Sequence, residues 1–102
     1  MTDHRLKCWP HYFDAIERGE KTFEVRYDDR GFQRGDTLVL VKFDPEKPGY
    51  VLDRSAQKIT LRRRVSYVLA GGRFGIDVGH VVMALEPVDE VDSKPIEGTT
   101  AE

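Results

Sequence analysis

The sequence predicts an α+β fold that is mostly β: a small, mostly antiparallel β-barrel with one early α-helix. Five or six segments have strand patterns, one segment near the N-terminus has helical spacing, and turn residues separate neighbouring segments. Strands joined by short turns pair antiparallel, and a curled sheet of such strands buries one face around a core. The length of 102 residues fits a single domain.

The first elements are a strand and the helix. The segment "HRLKCW" alternates apolar and basic residues, which predicts a short strand. Pro10 can open a helix, because its missing N–H has no partner in the first turn. The helix is predicted over "PHYFDAIER", where Tyr12, Phe13 and Ile16 have helical spacing, and it ends at Gly19.

The second strand is predicted over "KTFEVRY". Alternation places Phe23 and Val25 on one face, predicted to point to the core, and Glu24 and Arg26 on the other. The segments "DDRG" and "RGD" that follow are typical of turns.

The C-terminal half is predicted to supply the remaining strands. The segment "TLVLVKF" is apolar on both faces and is expected at the centre of the sheet, and "YVLD" is a candidate short strand. In the long strand "ITLRRRVSYVL", Leu61, Val65, Tyr67 and Leu69 are predicted to share one face. The loop "AGGRFGIDVG" then leads to a last strand, "HVVMALEPV".

Composition divides the chain into a domain over residues 1–88 and a tail over residues 89–102. The tail has five acidic residues and one basic residue, and it is predicted to be disordered. The remaining part has fifteen basic and thirteen acidic residues, so it is mildly basic. The single cysteine excludes an intramolecular disulfide, and no apolar run has the length of a membrane span. We therefore expect a cytoplasmic protein that does not contact membranes.

Metal, cofactor and nucleophile motifs have little support in the sequence. The histidines His4, His11 and His80 lack the spacing of a metal site and are expected at or near the surface, and no metal or cofactor is predicted. The glycine-rich "AGGRFG" lacks the Lys-Ser/Thr pair of a phosphate-binding loop. Cys8 occupies an apolar strand position, which favours a buried, inert thiol over a nucleophile paired with histidine.

The stretch "GEKTFEVRYDDRGFQRGD" concentrates charge around the second strand. Glu24 and Arg26 lie two residues apart on one strand face, and Lys21 lies just after the glycine that ends the helix. Lys and Arg donate hydrogen bonds, Glu accepts them, and aromatic neighbours can stack on a planar ligand. From the residues alone, a salt-bridged surface accounts for this stretch better than a ligand site does.

The run "RRR" is the densest basic segment. Arg62 and Arg64 project from the same strand face and are candidates for nucleic-acid binding through phosphates, although a solvated strand edge also explains them. Arg63 falls on the apolar face, where it needs an acid or a position near the barrel end.

The same charged stretch resembles the signature of the ASCH superfamily, a branch of the PUA-like β-barrel folds. The matching pattern is a helix that ends in glycine, a lysine, Glu-x-Arg on the next strand, and Gly-Asp before an apolar strand. The residues that match are Gly19, Lys21, Glu24, Arg26, Gly35 and Asp36. The segments "HRLKCWPHYFDAI", "VSYVLAGGRFGI" and "GHVVMAL" also resemble a compact bacterial and phage family within that superfamily.

The resemblance implies a cleft beside the first helix that binds RNA or a modified base. Lys21, Glu24 and Arg26 are expected inside this cleft, and Lys7, Asp29 and Arg30 at its rim, all as ligand-binding residues. Trp9 is expected to pack at the start of the helix, and a stacking role is the alternative. The first expectation for function is a non-enzymatic nucleic-acid-binding module whose partner is RNA or a modified nucleoside.

Two alternatives remain open at this point. Some ASCH proteins are small amidohydrolases that act on a modified nucleoside with a lysine, a threonine and a glutamate. This chain matches the lysine at Lys21, has Glu24 in place of the threonine, and has Thr22 two residues earlier, so its catalytic residues, if any, are Lys21, Thr22 and Glu24. The other alternative is a phage-type module that binds a protein partner.

Deletion of the acidic tail tests the predicted domain boundary. A chain without residues 89–102 should keep its melting temperature, because the tail has too few large apolar residues to join a core. Thermal unfolding of the two chains measures this, and a loss of several degrees would show that the tail packs on the domain.

Overall fold

Over the described residues, the fold is one six-stranded sheet with a single α-helix. The computed structural model describes residues 1–47 and 49–88, so the predicted disordered tail lies outside the described residues. The elements are β1 (Asp3–Cys8), α1 (Pro10–Glu17), β2 (Phe23–Tyr27), β3 (Thr37–Asp44), β4 (Gly49–Tyr50), β5 (Thr60–Ala70) and β6 (His80–Pro87). Over the described ranges, no helix has the length and apolar character to cross a membrane.

The strand order is β1-β3-β5-β6-β2, and β4 pairs with β3 beside this path. All pairs are antiparallel except β1 with β3, which confirms the mostly β, mostly antiparallel prediction. Backbone pairing does not close the described sheet into a barrel, because β1 and β2 are its two edges.

Two arginine side chains connect these two edges. The Arg26 Nη2 on β2 donates a hydrogen bond of 2.7 Å to the carbonyl oxygen of Lys7 on β1. The Arg30 Nη1, just after β2, donates one of 2.9 Å to the carbonyl oxygen of Arg5. Side-chain donors therefore occupy edge carbonyls that a neighbouring strand would otherwise pair.

The helix α1 begins and ends as the sequence predicts. Pro10 is its first residue, and Gly19 follows its end with a φ of 84°, a left-handed conformation that glycine adopts at little cost. Phe13 and Ile16 are buried against the core. The helix is also tied to β3 by an ion pair of 2.9 Å between Asp14 and Lys42.

The strand β3 lies between β1 and β5, in the central position that its apolar sequence predicts. Its residues 38–41 are all buried. The core cluster consists of Leu6, Cys8, Phe13, Ile16, Phe32, Leu38, Leu40, Val65, Val81, Met83 and Leu85. It lies on one face of the sheet, under α1 and the segment that precedes β3.

Two predicted face assignments are wrong. Phe23 and Val25 are 44% and 50% exposed, whereas Glu24 is buried at 5% exposure. The register with β6 places Glu24 opposite Met83 and Arg26 opposite Val81, both buried, so the polar face of β2 is the one that turns inward. In β5, an irregularity between Val65 and Tyr67 shifts the register, and Tyr67 is therefore exposed while Val68 packs on the core.

The inward-facing Arg63 pairs with the helix rather than with an acid. Its Nη2 donates to the carbonyl oxygen of Ile16 at 3.2 Å, in the last turn of α1, and its Nη1 donates to the carbonyl oxygen of Arg62. A cation is favourable there, because the carbonyl groups at a helix C-terminus carry partial negative charge. The position of Arg63 on an apolar face is explained by this contact.

The buried Asp36 joins the N-terminus to the turn before β3. Its Oδ1 accepts a hydrogen bond from the Thr2 N–H at 3.0 Å, and its Oδ2 accepts from His4 Nε2 at 2.8 Å and from the Gln33 N–H at 3.0 Å. His4 itself is buried and packs edge-on against the Phe32 ring, so the prediction of a surface histidine is wrong here. Burial raises the pKa of Asp36, but the hydrogen bonds from His4 and the two backbone N–H groups outweigh it and hold the pKa below its usual value.

We expect Asp36→Asn to destabilise the fold by about 1–3 kcal/mol, because it removes a charged acceptor from a buried hydrogen-bonded cluster. Since the folded pKa of Asp36 is lowered, its contribution is present above the unfolded value of about 3.9 and is lost as pH falls through the folded value. The variant should therefore lose less stability than the wild type below pH ~4.

Denaturant unfolding between neutral and acidic pH measures both effects. Asp29→Asn is the matched control, because it removes one exposed carboxylate whose only ion pair within the described residues is 3.7 Å long. Equal losses in the two variants would contradict the role of Asp36.

Candidate functional site

A buried carboxylate organises the polar stretch around β2. Glu24 accepts a hydrogen bond from Lys21 Nζ at 2.6 Å on Oε1 and from Arg26 Nε at 2.8 Å on Oε2. The Arg26 Nη2 also lies 2.8 Å from Oε2. A buried carboxylate needs such partners, since an unpaired charge in this position would cost several kcal/mol by desolvation. The structure brings together the three residues that the sequence placed inside a cleft.

The local backbone sets this cluster. Lys21 follows the helix end, where its N–H donates to the Ala15 carbonyl, and its Nζ also donates to the Phe23 carbonyl at 2.7 Å. Glu24 and Arg26 are two residues apart on β2, so their side chains lie on the same strand face. Arg26 bridges from Glu24 to the Lys7 carbonyl, which orients its guanidinium across the gap between the two sheet edges.

The cluster lies in a cleft of about 520 Å³ between the end of β1, the start of α1 and β2; we call it the aromatic cleft. Its lining residues are Lys7, Cys8, Trp9, Tyr12, Lys21, Phe23, Glu24, Val25 and Arg26. Trp9 and Tyr12 stack with ring centroids 6.2 Å apart and planes 21° apart. The Lys21 Nζ lies 4.9 Å from the Phe23 centroid and 5.5 Å from the Tyr12 centroid.

The aromatic walls were not predicted. Trp9 is 55% exposed and Phe23 is 44% exposed, so neither is the packing residue that the sequence suggested. Large exposed aromatic side chains around charged groups are typical of binding surfaces rather than of a core. Alternation in β2 shows only that one of its two faces points to the core, and the register that places Glu24 opposite the buried Met83 decides which one.

Cys8 lines the aromatic cleft but is poorly suited to act as a nucleophile. It is 3% exposed, and burial, followed by the nearby charge of Glu24, raises the pKa of its thiol to about 11. The thiol is therefore protonated at neutral pH. Within the described residues, histidine lines neither this cleft nor the one beside it, so the histidine partner of a Cys–His pair is also missing.

Of the three predicted rim residues, only Lys7 lines the aromatic cleft. A second cleft of about 380 Å³, which we call the basic cleft, is lined by Arg5, Leu6, Lys7, Arg26, Arg30, Val41, Tyr50 and Lys58. Arg30 belongs to the basic cleft, and Lys7 lines both clefts. Asp29 lines neither and lies 3.7 Å from Arg30 with its side chain mostly exposed.

The other candidate residues lie away from the two clefts. Arg62 pairs with Asp3 at 2.7 Å, and Arg64 lies 3.9 Å from Glu86, so each of the two arginines has an acidic partner. Thr22 is exposed and does not line the aromatic cleft. Its carbonyl oxygen accepts a hydrogen bond from the N–H of Leu85 in β6. The structure therefore does not assemble Lys21, Thr22 and Glu24 into one constellation. In the described part of the chain, no cluster of metal-ligating side chains is present.

Comparison with known proteins gives a family match and a relative that aligns over a short segment. A family model described as "Domain of unknown function (DUF3850)" matches residues 3–85. The "Uncharacterized 12.9 kDa protein in GpA 3'region" of Escherichia phage P2 is 46% identical over 37 residues. The aligned segment covers 36% of this chain and 34% of the phage protein, so it spans about a third of that relative's length.

Removal of the buried carboxylate should cost far more than removal of a surface carboxylate. Glu24→Ala leaves Lys21 and Arg26, with side chains 16% and 27% exposed, without their shared anion. We expect a loss of about 2–4 kcal/mol, or a melting temperature lower by about 10 °C or more. Glu20→Ala is the control: its pair with Arg18 has the same 2.8 Å length as the pair of Glu24 with Arg26 but lies on the surface, so the melting temperature should change little. Equal shifts in the two variants would show that Glu24 does not organise the site.

Proposed function

The chain belongs to the DUF3850 family, and we propose that it is a non-enzymatic binding module for RNA or a modified nucleobase, which it holds in the aromatic cleft. The observation that carries this proposal is the buried Glu24 carboxylate, clamped between Lys21 and Arg26 in a cleft walled by aromatic side chains. A planar, polar ligand matches such walls, because its faces stack while its edges form hydrogen bonds.

Counting hydrogen-bond donors supports a ligand that supplies acceptors. Lys21 has three N–H donors and uses two, on Glu24 and on the Phe23 carbonyl. Arg26 uses Nε and Nη2, and its Nη1 is left without an acceptor among the described residues. Base carbonyl oxygens and unprotonated ring nitrogens are acceptors of the kind that these donors can bind.

The aromatic side chains supply the stacking surface. Trp9 and Tyr12 are 55% and 45% exposed and already lie nearly parallel to each other. Stacking of a base on an aromatic side chain stabilises binding by about 1–3 kcal/mol and tolerates different bases. A single base in this cleft would therefore bind weakly, with selectivity set by the donors of Lys21 and Arg26.

The fold is proposed to be an open variant of a PUA-like barrel, in keeping with the ASCH signature of the sequence. The sheet order leaves β1 and β2 as edges, and Arg26 and Arg30 link these edges where a closed barrel would have strand pairing. The unpaired Cys8 fits the reducing cytoplasm proposed as the location.

A nucleoside hydrolase is the second candidate, because Lys21 and Glu24 are adjacent in the aromatic cleft. A general base would accept a proton from the attacking water, whereas the Lys21 Nζ acts as a hydrogen-bond donor to the Glu24 carboxylate and the Phe23 carbonyl. The exposed position of Thr22 also weighs against this candidate.

Fluorescence of Trp9 tests the proposal, since it is the only tryptophan in the chain and it lines the aromatic cleft. Short single-stranded RNA should change this fluorescence at low salt, with a log–log salt slope of about −2 to −4. Lys21→Arg should keep part of the affinity, because charge and donors survive while geometry changes. Lys47→Arg, an exposed position outside both clefts, is the control and should bind as the wild type does.

Two results would overturn the proposal. Turnover of N-acylated nucleosides by the wild type that disappears in Lys21→Arg would establish the hydrolase. Absence of RNA binding at low salt, with no response of Trp9 to nucleosides, would instead favour a protein partner.

A further inference from the structure

The basic cleft has a composition that the aromatic cleft lacks. Five of its eight lining residues are basic, and within the described residues no acidic side chain lines it. The chain as a whole has more acidic than basic residues, eighteen against sixteen, so this concentration of one sign is local. A cleft lined by one sign of charge raises the concentration of counter-ions within it.

The ion pairs leave three of these cations uncompensated. Arg26 shares the Glu24 carboxylate, and Arg30 has a long contact of 3.7 Å with Asp29. Arg5, Lys7 and Lys58 form no ion pair with any described residue. The remaining positive charge therefore faces solvent in a concave site, where a bound anion could neutralise it.

Several of these cations are held in place before any ligand binds. The Lys7 Nζ lies 4.6 Å from the Phe43 ring centroid, and the Lys58 Nζ lies 4.0 Å from the Tyr50 centroid. Arg26 and Arg30 are fixed by their hydrogen bonds to the β1 carbonyls. A solvated basic surface requires no such arrangement, and side chains ordered in advance lose less entropy when they bind an anion.

The two clefts adjoin through shared residues. Lys7 and Arg26 line both, and the hydrogen bond between the Arg26 guanidinium and the Lys7 carbonyl lies at their boundary. We propose that the basic cleft is a phosphate-binding subsite, so that the ligand is a nucleotide unit whose base enters the aromatic cleft and whose phosphate enters the basic cleft. The position of the base rests on the proposed function, whereas the phosphate subsite stands on the charges and geometry of the basic cleft.

The phosphate could belong to a terminal monoester or to the diester backbone of RNA. Lys and Arg donors bind both, so the experiment compares the probes directly. Binding of each of the four ribonucleosides, the corresponding nucleoside monophosphates, short dinucleotides and inorganic pyrophosphate is measured by calorimetry at low salt. Two-dimensional amide NMR of the same samples reports which cleft each probe contacts.

The test variant is Arg5→Ala with Lys58→Ala, which removes two cations of the basic cleft and keeps the Arg30 contact with the backbone carbonyl of residue 5. The control is Arg54→Ala with Arg73→Ala, which removes two exposed cations outside both clefts. The net charge changes equally in the two variants, so a general charge effect would appear in both.

We expect one phosphate to tighten binding of a nucleoside by about tenfold, and we expect the test variant alone to lose this gain. A gain with monophosphates only assigns the subsite to a terminal phosphate, and a gain with dinucleotides as well assigns it to the backbone. Equal affinity of test and control variants for every phosphate probe, or no binding of any phosphate probe, overturns the subsite.

Different results would contradict the proposed function and the phosphate subsite. Nucleosides that shift the aromatic-cleft amides without any gain from phosphate would leave the proposed function and exclude the phosphate subsite. Pyrophosphate binding that depends on Arg5 and Lys58, without any response of the aromatic cleft to nucleosides, would support the subsite and exclude the base-binding role.

Discussion

The burial of one carboxylate determines how this domain is assembled on the open side of its sheet, where the edges β1 and β2 face each other. Glu24 is buried on an edge strand, and a buried charge is tolerated only when it is paired and hydrogen-bonded. Lys21 and Arg26 satisfy it at 2.6 and 2.8 Å, and in doing so they are fixed in position. Arg26 then reaches the Lys7 carbonyl, so the same carboxylate orients the group that links β2 to β1.

The open sheet follows from these side-chain contacts. An edge strand presents unpaired backbone groups that can pair with another chain, and proteins commonly cover or block them. Here the guanidinium groups of Arg26 and Arg30 occupy the carbonyls of Lys7 and Arg5 at the edge of β1. These side chains bridge the edges in place of a strand ladder, and the two clefts adjoin at Lys7 and Arg26, the residues joined by one of the bridges.

Local patterns predicted the helix and the long strands of the fold, whereas β4 covers Gly49–Tyr50 rather than the predicted segment "YVLD". The helix from Pro10 and the central position of β3 depend on nearby residues alone, and both are confirmed. The inward face of β2 could not be read in this way, because Phe23 and Val25 look like core residues until the register with β6 is known. The exposure of Tyr67 depends on the irregularity in β5, which no pattern in that segment indicates.

The same distinction applies to the candidate site. Lys21, Glu24 and Arg26 are near in sequence and line one cleft, as predicted. Glu24 and Arg26 share a face of β2, and Lys21 lies between the helix end and that strand. Arg5 and Lys58 are more than fifty residues apart, and only the pairing of β3 with both β1 and β5 brings their regions to one cleft. The aromatic walls depend in turn on which face of β2 is exposed, so they follow from the topology rather than from composition.

Charge differs between the two clefts in a way that would orient a ligand. The aromatic cleft is lined by three basic residues and one acidic residue, and the acidic one binds two of the three. The basic cleft is lined by five basic residues, two of which it shares with the aromatic cleft. A ligand with one aromatic end and one anionic end would therefore bind in a single direction, with its anion drawn to the more positive cleft. Because Glu24 lines the aromatic cleft and not the basic cleft, the carboxylate that stabilises the open side of the sheet also contributes to this difference in charge.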